Sequence, residues 1–426
     1  MMCRDIDLNG LLIGTASSST QIEGGDTNNS WYEWALTPGR VKDGSSPLRA
    51  NDHWNRWRED NEIMSTLGFP IARLGLEWSR IEPSAGSFSA SALDRYRQEI
   101  GDLVDRGIRP LVTLHHFSNP LWFERRGQFT NRYSPWVYER YVREVVSALG
   151  DLVSEWVTIN EPNVHVTQAH LFREGPPGTL RPVGAIKTLR NLALSHLRAY
   201  EAIHEMLGDG ATVTIAHHLR EFTPRNPANP IHRAFTSINR YAFQDIVTDA
   251  FGRGVFRAPL GPSPVPPGRY VDVIGLNYYS RTAVSGPVDG VFDSVPVTDL
   301  GWEVYPQGIA TCAAELYGKL GVPVWVTENG TADNGSATEI ESFRPRFIIE
   351  HLSALAASGV PVERYYHWCF IDNWECGRMG RCPGSGSSIT TTRRRRGRSS
   401  RPGTCWPRSP RPVPSPPIFT TGTLPG

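Results

Sequence analysis

Two strand-like segments of the sequence each carry a glutamate at their end. Residues 155–163 read EWVTINEPN, in which β-branched and aromatic residues favour a buried strand and Pro162 disfavours a helical backbone at Glu161. Residues 322–330 read VPVWVTENG and predict a second strand that ends at Glu328. Two such glutamates could supply the paired carboxylates of acid–base and nucleophilic catalysis, provided that the fold brings Glu161 and Glu328 together.

The chain up to about residue 375 alternates apolar, strand-like runs with amphipathic helical patterns. The candidate strands are Leu8–Ala16, Ile71–Glu77, Arg109–His115, Glu155–Asn160, Thr212–His217, Val271–Tyr278, Val322–Thr327 and Arg364–Ile371. The alternation predicts an α/β fold with a parallel sheet, and eight strands are the number that closes into a (β/α)8 TIM barrel. An open, doubly wound sheet is the alternative, but the segment GTASSSTQIEGG after the first strand lacks the GxGxxG pattern of such folds.

Polar residues gather at the predicted carboxyl ends of these strands, which is where a barrel carries its active site. They are Gln21, Glu23, Arg73, Glu77, His115, His116, Asn160, Glu161, Asn277, Tyr278, Tyr279, Glu328, Trp368 and Glu375. Scattered surface carboxylates would not show this placement.

The composition is that of an ordinary globular protein, with 39% hydrophobic residues in 426. No stretch approaches the length of an apolar membrane span, and the N-terminus lacks the apolar region of a signal peptide. The six cysteines show no regular spacing. The sequence therefore predicts a reduced, cytoplasmic protein with no membrane partner.

The sequence resembles glycoside hydrolase family 1, the retaining β-glycosidases, over roughly residues 8–375. The matching segments, in the family's order, are GTASSSTQIEG, RLGLEWSRIEP, VTLHHFSNPLWF, TINEPN, IGLNYYS, GWEVYPQG, VTENG and HWCFIDNWE. TINEPN followed later by TENG is the specific pair. The resemblance implies hydrolysis of small-molecule β-glycosides at terminal β-D-glucosyl residues, with galactosyl or fucosyl residues as further substrates and no metal or cofactor.

The resemblance also implies roles for the polar residues at the strand ends. Glu328 matches the family's nucleophile and Glu161 its acid/base, and such a pair lies about 5–5.5 Å apart in retaining enzymes. Arg73 and Tyr279 are expected to keep Glu328 ionised, and Asn160 to contact the sugar 2-hydroxyl. Glu161 has no cationic partner nearby in sequence, so its pKa is expected to be raised. The positions expected to bind the sugar are Gln21, His116, Asn277, Trp368 and Glu375.

Some alternatives compete with this interpretation. Arg73 could form a structural ion pair with Glu77. A metal-dependent hydrolase barrel is a second enzyme class, but His115 and His116 are adjacent on a strand and should face opposite ways, and no HxH or HExxH motif occurs. A carboxylate at Glu375 would repel a phosphate, which disfavours 6-phospho-sugars as substrates.

The sequence divides at residue 376, between a family-like part and an unusual tail. Residues 376–426 contain ten arginines and no Asp, Glu or Lys, so the first 375 residues hold nine more acidic than basic residues. The family pattern breaks in mid-motif at Cys376, and the last barrel helix is expected to be missing or replaced. The tail is either disordered and able to bind a polyanion such as nucleic acid, or the product of a shifted reading frame. The abrupt break favours the frame shift, and a catalytically impaired family member, either sugar-binding or non-functional, is then the alternative to an active enzyme.

Overall fold

The computed structural model describes residues 5–8, 10–41, 44–287, 289–332, 337–374 and 423–425. Its centre is a closed barrel of eight parallel strands, in which β6 pairs with both β5 and β7 and so completes the ring. In chain order the barrel strands are β2 (Leu12–Ala16), β3 (Ile71–Gly75), β4 (Arg109–Thr113), β5 (Glu155–Asn160), β6 (Thr212–Pro224), β7 (Ile274–Val284), β9 (Val324–Gly330) and β10 (Val362–Trp368). The predicted (β/α)8 barrel is confirmed, and the open sheet is excluded.

Two short pairings lie outside the barrel. Strand β8 (Asp289–Gly290) pairs antiparallel with β7, and β1 (Asp5–Asp7) pairs antiparallel with β11 (Thr423–Pro425). Of the predicted tail, β11 is the part that the structure describes. Glu375 and residues 376–422 lie outside the described residues, so the tail's disorder or shifted frame stays a prediction.

Helices connect the strands and cover the barrel. They are α1 (Ser19–Ile22), α2 (Ser30–Ala35), α3 (His53–Thr66), α4 (Trp78–Ile81), α5 (Ala90–Asp105), α6 (Leu121–Arg125), α7 (Ser134–Leu149), α8 (Pro162–Thr167), α9 (Pro182–Leu207), α10 (Pro230–Arg240), α11 (Ile246–Arg253), α12 (Gln307–Leu320) and α13 (Ala337–Ala357). Helix α7 shows why they pack: Tyr138, Tyr141, Val142, Val145 and Leu149 recur at helical spacing and are fully buried as one stripe. No helix in the described ranges combines the length and apolar character needed to cross a membrane.

The inside of the barrel is a packed core. Its buried apolar side chains come from successive strands and include Ile71, Leu111, Val157, Trp325 and Tyr366. Because these side chains fill the lower part of the barrel, polar groups that share a site must lie above them, at the carboxyl ends of the strands.

The strand boundaries differ from the predictions mainly at their carboxyl ends. Strand β5 has the predicted bounds, whereas β6 continues past His217 because its pairing with β7 runs on to Pro224. The prediction that Glu328 ends its strand is wrong, because β9 stays paired with β10 as far as Gly330. Glu328 is therefore held by strand pairing on both sides of its own position.

Candidate active site

Glu161 directly follows the last residue of β5, as predicted, and has a left-handed backbone with φ 42° and ψ 62°. A residue other than glycine in this region carries strain of about 1–3 kcal/mol. The Glu161 N–H donates to the Ala216 carbonyl at 2.7 Å, and the Glu161 carbonyl accepts from the His165 N–H at 2.9 Å. Pro162, the first residue of α8, disfavours the ordinary helical alternative. The turn thus fixes the direction of a side chain that is 5% exposed.

Glu328 is held at both carboxylate oxygens. Arg73, fully buried on β3, donates from Nη1 to Glu328 Oε1 at 2.6 Å. Tyr279 on β7 donates its hydroxyl to Glu328 Oε2, also at 2.6 Å. The alternative ion pair between Arg73 and Glu77 does not form, since Glu77 accepts hydrogen bonds from the hydroxyls of Ser79 and Ser118. Charge-assisted bonds of this kind fix both the position and the plane of a carboxylate.

A continuous chain of hydrogen bonds connects Glu328 to Glu161. Arg73 Nη2 donates to Asn160 Oδ1 at 2.7 Å, and because a guanidinium can only donate, this amide oxygen is an acceptor. Asn277 therefore presents its NH2 group to Asn160 Oδ1 at 3.2 Å and to Glu161 Oε1 at 2.8 Å. Residues far apart in the sequence, on β3, β5, β7 and β9, thus form one buried polar cluster.

His116 and Trp368 lie beside this cluster. Asn160 Nδ2 is 3.1 Å from His116 Nε2, so the imidazole accepts there and carries its hydrogen on Nδ1. Burial holds the pKa of His116 well below its usual value, which keeps the ring neutral. Within the described part of the chain the buried Nδ1 has no hydrogen-bond partner. The ring stacks on Trp368, with centroids 5.7 Å apart. An unpartnered donor next to an aromatic face suits a ligand that carries hydroxyl groups.

Gln21 lies beyond the carboxyl end of β2 and is held by neighbours there. Its Nε2 donates to the Trp374 carbonyl at 3.0 Å, and its Oε1 accepts from the Ser18 hydroxyl. Glu375, the residue after Trp374, lies outside the described residues, so its predicted sugar contact is untested.

The sequence model of glycosyl hydrolase family 1 matches residues 8–258 and 269–379. The chain belongs to this family. It is 30% identical to β-glucosidase A of Thermotoga maritima over 398 residues, which cover 86% of this chain and 89% of that relative. The solved family 1 β-glucosidase from T. maritima superposes with a TM-score of 0.79 at 28% identity, covering 87% of this chain and 91% of that chain. A β-glycosidase from Pyrococcus horikoshii superposes with a TM-score of 0.77 at 32% identity, covering 86% of each. The predicted family and the assignment as a glycoside hydrolase are confirmed.

The protonation of the two glutamates differs from the expectation drawn from the family 1 resemblance. Burial raises the pKa of Glu328 to about 7. The negative charge of Glu161 adds to this rise, and Arg73 and Tyr279 offset only part of it. Burial also acts to raise the pKa of Glu161, but the contact with His218 and the hydrogen bond from Asn277 bring it below its usual value. The expectation of a raised pKa at Glu161 and a low one at Glu328 is therefore wrong. Two buried carboxylates repel each other when both are ionised, so the pair retains one proton up to near neutral pH.

His218 is the residue of this family 1 site that the sequence analysis missed. Its Nδ1 lies 3.0 Å from Glu161 Oε1, and in the sheet it pairs with Asn277, the other residue bonded to that oxygen. The predicted strand ends at His217, and no polar residue is proposed for its carboxyl end. The other candidates come from the rule that active-site residues lie at the carboxyl ends of barrel strands, and the same rule applied to this strand would give His218.

Replacing Arg73 by methionine is expected to move the alkaline limb of the kcat/KM profile upward by about one to three pH units. Arg73 favours the ionised form of Glu328, the carboxyl of higher pKa, so its loss raises that pKa and the pair keeps its shared proton to higher pH. The measurement is kcat/KM for an aryl β-glucoside from pH 4 to 11. Arg73→Lys is the matched control, because it keeps the positive charge and should shift the limb less. An alkaline limb that stays in place in Arg73→Met would show that Arg73 does not control Glu328.

Proposed function

We propose that this chain hydrolyses terminal β-D-glucosyl residues by double displacement, with Glu328 as nucleophile and Glu161 as acid/base. In the first step a Glu328 oxygen bonds to the anomeric carbon, the glycosidic bond breaks, and Glu161 gives its proton to the leaving oxygen. In the second step Glu161 takes a proton from water, whose oxygen displaces Glu328 and leaves the sugar with its original β configuration.

The contacts of Glu328 support its role as nucleophile. Arg73 and Tyr279 bond one oxygen each, so the carboxylate is oriented before the sugar arrives. The same two donors stabilise the carboxylate again when the covalent bond to the sugar breaks. The two carboxyls share one proton and Glu328 has the higher pKa in the free enzyme, so the reactive form is the one in which that proton has moved to Glu161 and left Glu328 ionised.

The contacts of Glu161 support a residue that gains and loses a proton in each cycle. In the described residues its carboxylate is bonded by His218 and Asn277 and by no arginine or lysine. A permanent cation beside Glu161 would oppose protonation of its carboxylate, whereas an amide and an imidazole allow both the protonated and the ionised state. The single observation on which the proposal rests is the buried network that joins this group to Glu328 through Arg73, Asn160 and Asn277.

The sugar site is proposed from the groups around this network. Trp368 offers an aromatic face for a pyranose, His116 Nδ1 a free donor for a hydroxyl, and Asn160 the predicted contact with the 2-hydroxyl. A glucosyl preference is consistent with the name of the T. maritima relative. Galactosides and fucosides are proposed as further substrates. Gln21 and Glu375 are proposed to bind the part of the sugar farthest from the anomeric carbon.

We also propose a cytoplasmic location and a reduced protein. Cys312 is a buried free cysteine, which agrees with the irregular cysteine spacing of the sequence.

Labelling with an activated 2-deoxy-2-fluoro-β-glucoside tests the proposed mechanism. The fluorine slows both steps, but the good leaving group keeps the first fast enough, so a covalent fluoroglucosyl enzyme should accumulate. Mass spectrometry is expected to find one label per chain, on the peptide that contains Glu328. Glu328→Gln should remain unlabelled. A label on another residue, or α-glucose as the first product of a normal substrate seen by NMR, would refute the mechanism.

A further inference from the structure

His218 contacts Glu161 directly and is connected to Glu328 through Tyr279. Its Nδ1 is 3.0 Å from Glu161 Oε1, and its ring stacks on Tyr279 with centroids 5.8 Å apart and planes inclined by 26°. Tyr279 in turn donates its hydroxyl to Glu328. His218 is 5% exposed, so these contacts are sheltered from water and strengthened by the low local dielectric.

Arg220 indicates which nitrogen of His218 carries the hydrogen. Its Nε donates to His218 Nε2 at 3.5 Å, and because a guanidinium can only donate, Nε2 is an acceptor and the hydrogen is on Nδ1. The Nδ1–H group therefore donates to Glu161. The charged and titratable groups facing the imidazole are Glu161 from the end of β5, Tyr279 from β7 and Arg220 from β6. The adjacent His217 bonds a backbone carbonyl instead.

Two donors meet at one oxygen of Glu161, since Oε1 also accepts from Asn277 Nδ2 at 2.8 Å. An oxygen occupied by two N–H groups is a poor place for the carboxyl hydrogen, so the acid form carries its proton on Oε2. No side chain in the described residues bonds Oε2. Oε2 is therefore available to donate its proton to the leaving group of a substrate.

We propose that His218 is a positioning residue for the reaction, which together with Asn277 fixes the Glu161 carboxyl so that Oε2 presents the acidic proton. The inference rests on the proposed role of Glu161 as acid/base. With one of the two donors removed, the carboxyl is free to turn about its last bond and the proton is spread over both oxygens. The loss of His218 also raises the pKa of Glu161, because the hydrogen bond from His218 lowers it.

The test compares two substrates that differ in their need for an acid. A phenyl β-glucoside requires protonation of its leaving oxygen, whereas dinitrophenolate leaves without it. His218→Phe keeps a ring next to Tyr279 and removes the donor. We expect kcat/KM for the phenyl substrate to fall about 10- to 100-fold, which is part of the rate enhancement that general acid catalysis supplies. We expect kcat/KM for the dinitrophenyl substrate to fall less than about 3-fold. The acidic limb of the phenyl profile should move to higher pH, because Glu161 is the carboxyl of lower pKa.

Further variants separate positioning from damage to the fold. His218→Asn keeps an N–H donor and should recover most of the kcat/KM lost on the phenyl substrate. His218→Leu is a second variant without a donor, and it should lose activity on the phenyl substrate selectively, as His218→Phe does. His217→Asn makes the matched change at the next position of β6 and should show no selectivity. Thermal melting of each variant establishes that it is folded.

Equal losses on both substrates, or an unmoved acidic limb in the folded donor-free variants, would overturn the positioning role and leave the proposed function intact. Wild-type protein that is folded and hydrolyses neither substrate would instead overturn the proposed function, and this inference with it.

Discussion

Glu328→Ala is expected to lower kcat for a nitrophenyl β-glucoside by on the order of 10⁵-fold, the scale seen when a covalent nucleophile is removed from an enzyme. The variant keeps Arg73 and Tyr279 but has no oxygen to bond the anomeric carbon. Initial rates of nitrophenol release measure the effect. Added azide should restore part of the rate by entering the space left by the carboxylate, and the product should be the α-glucosyl azide.

Glu363→Ala is the control for this experiment. Glu363 is an exposed residue of β10, near the opposite end of the barrel, where its carboxylate accepts from the Trp325 indole N–H at 2.8 Å. Its loss should leave kcat unchanged within about 3-fold, because it lies outside the buried polar cluster that contains Glu161 and Glu328. A folded Glu328→Ala protein that keeps more than about 1% of wild-type activity would rule out Glu328 as the nucleophile.

Glu161→Ala is expected to lower kcat/KM for a phenyl β-glucoside by about 10³-fold, within the range of general acid–base catalysis. Glycosylation by a dinitrophenyl β-glucoside should be little changed, but the glycosyl enzyme should then hydrolyse slowly because the base for water is missing. A burst of dinitrophenolate followed by slow turnover would report this change of rate-limiting step.

Rescue by added azide is the control for the Glu161→Ala experiment. It should accelerate turnover by attacking the glycosyl enzyme on the face opposite Glu328, so the product is the β-glucosyl azide. The α product is expected with Glu328→Ala, so product configuration distinguishes the two roles. If the two variants gave the opposite configurations, the assignments of Glu161 and Glu328 would have to be exchanged.

The fold was predictable because its signals are local. Each strand is a short apolar run and each helix an amphipathic stretch, and the alternation of eight pairs leaves few topologies. The ends of the strands were less predictable, because pairing with neighbours decides where a strand stops. Strand β9 includes Glu328 because β10 remains paired as far as Gly330, a contact that the segment VTENG does not reveal.

The candidate site residues were predictable for a related reason. Parallel strands in a barrel all end at the same rim, so polar residues at strand ends lie together whatever their separation in sequence. Their electrostatics were not predictable in this way. Glu161 was expected to have no cationic partner because none is near it in sequence, yet His218, 57 residues later, bonds it directly. Asn277 was expected to bind sugar, which stays a prediction, and the structure shows that it donates to Glu161.

The left-handed turn at Glu161 sets the stability of the fold against the proposed catalytic role of the same residue. Glycine would adopt φ 42° without the steric penalty and would relieve up to a few kcal/mol, a sizeable fraction of the net stability of a domain. Selection for heat resistance alone would therefore favour removing the side chain, and selection for turnover would favour keeping it. Laboratory evolution of this enzyme toward higher melting temperature should be run with an activity screen in every round.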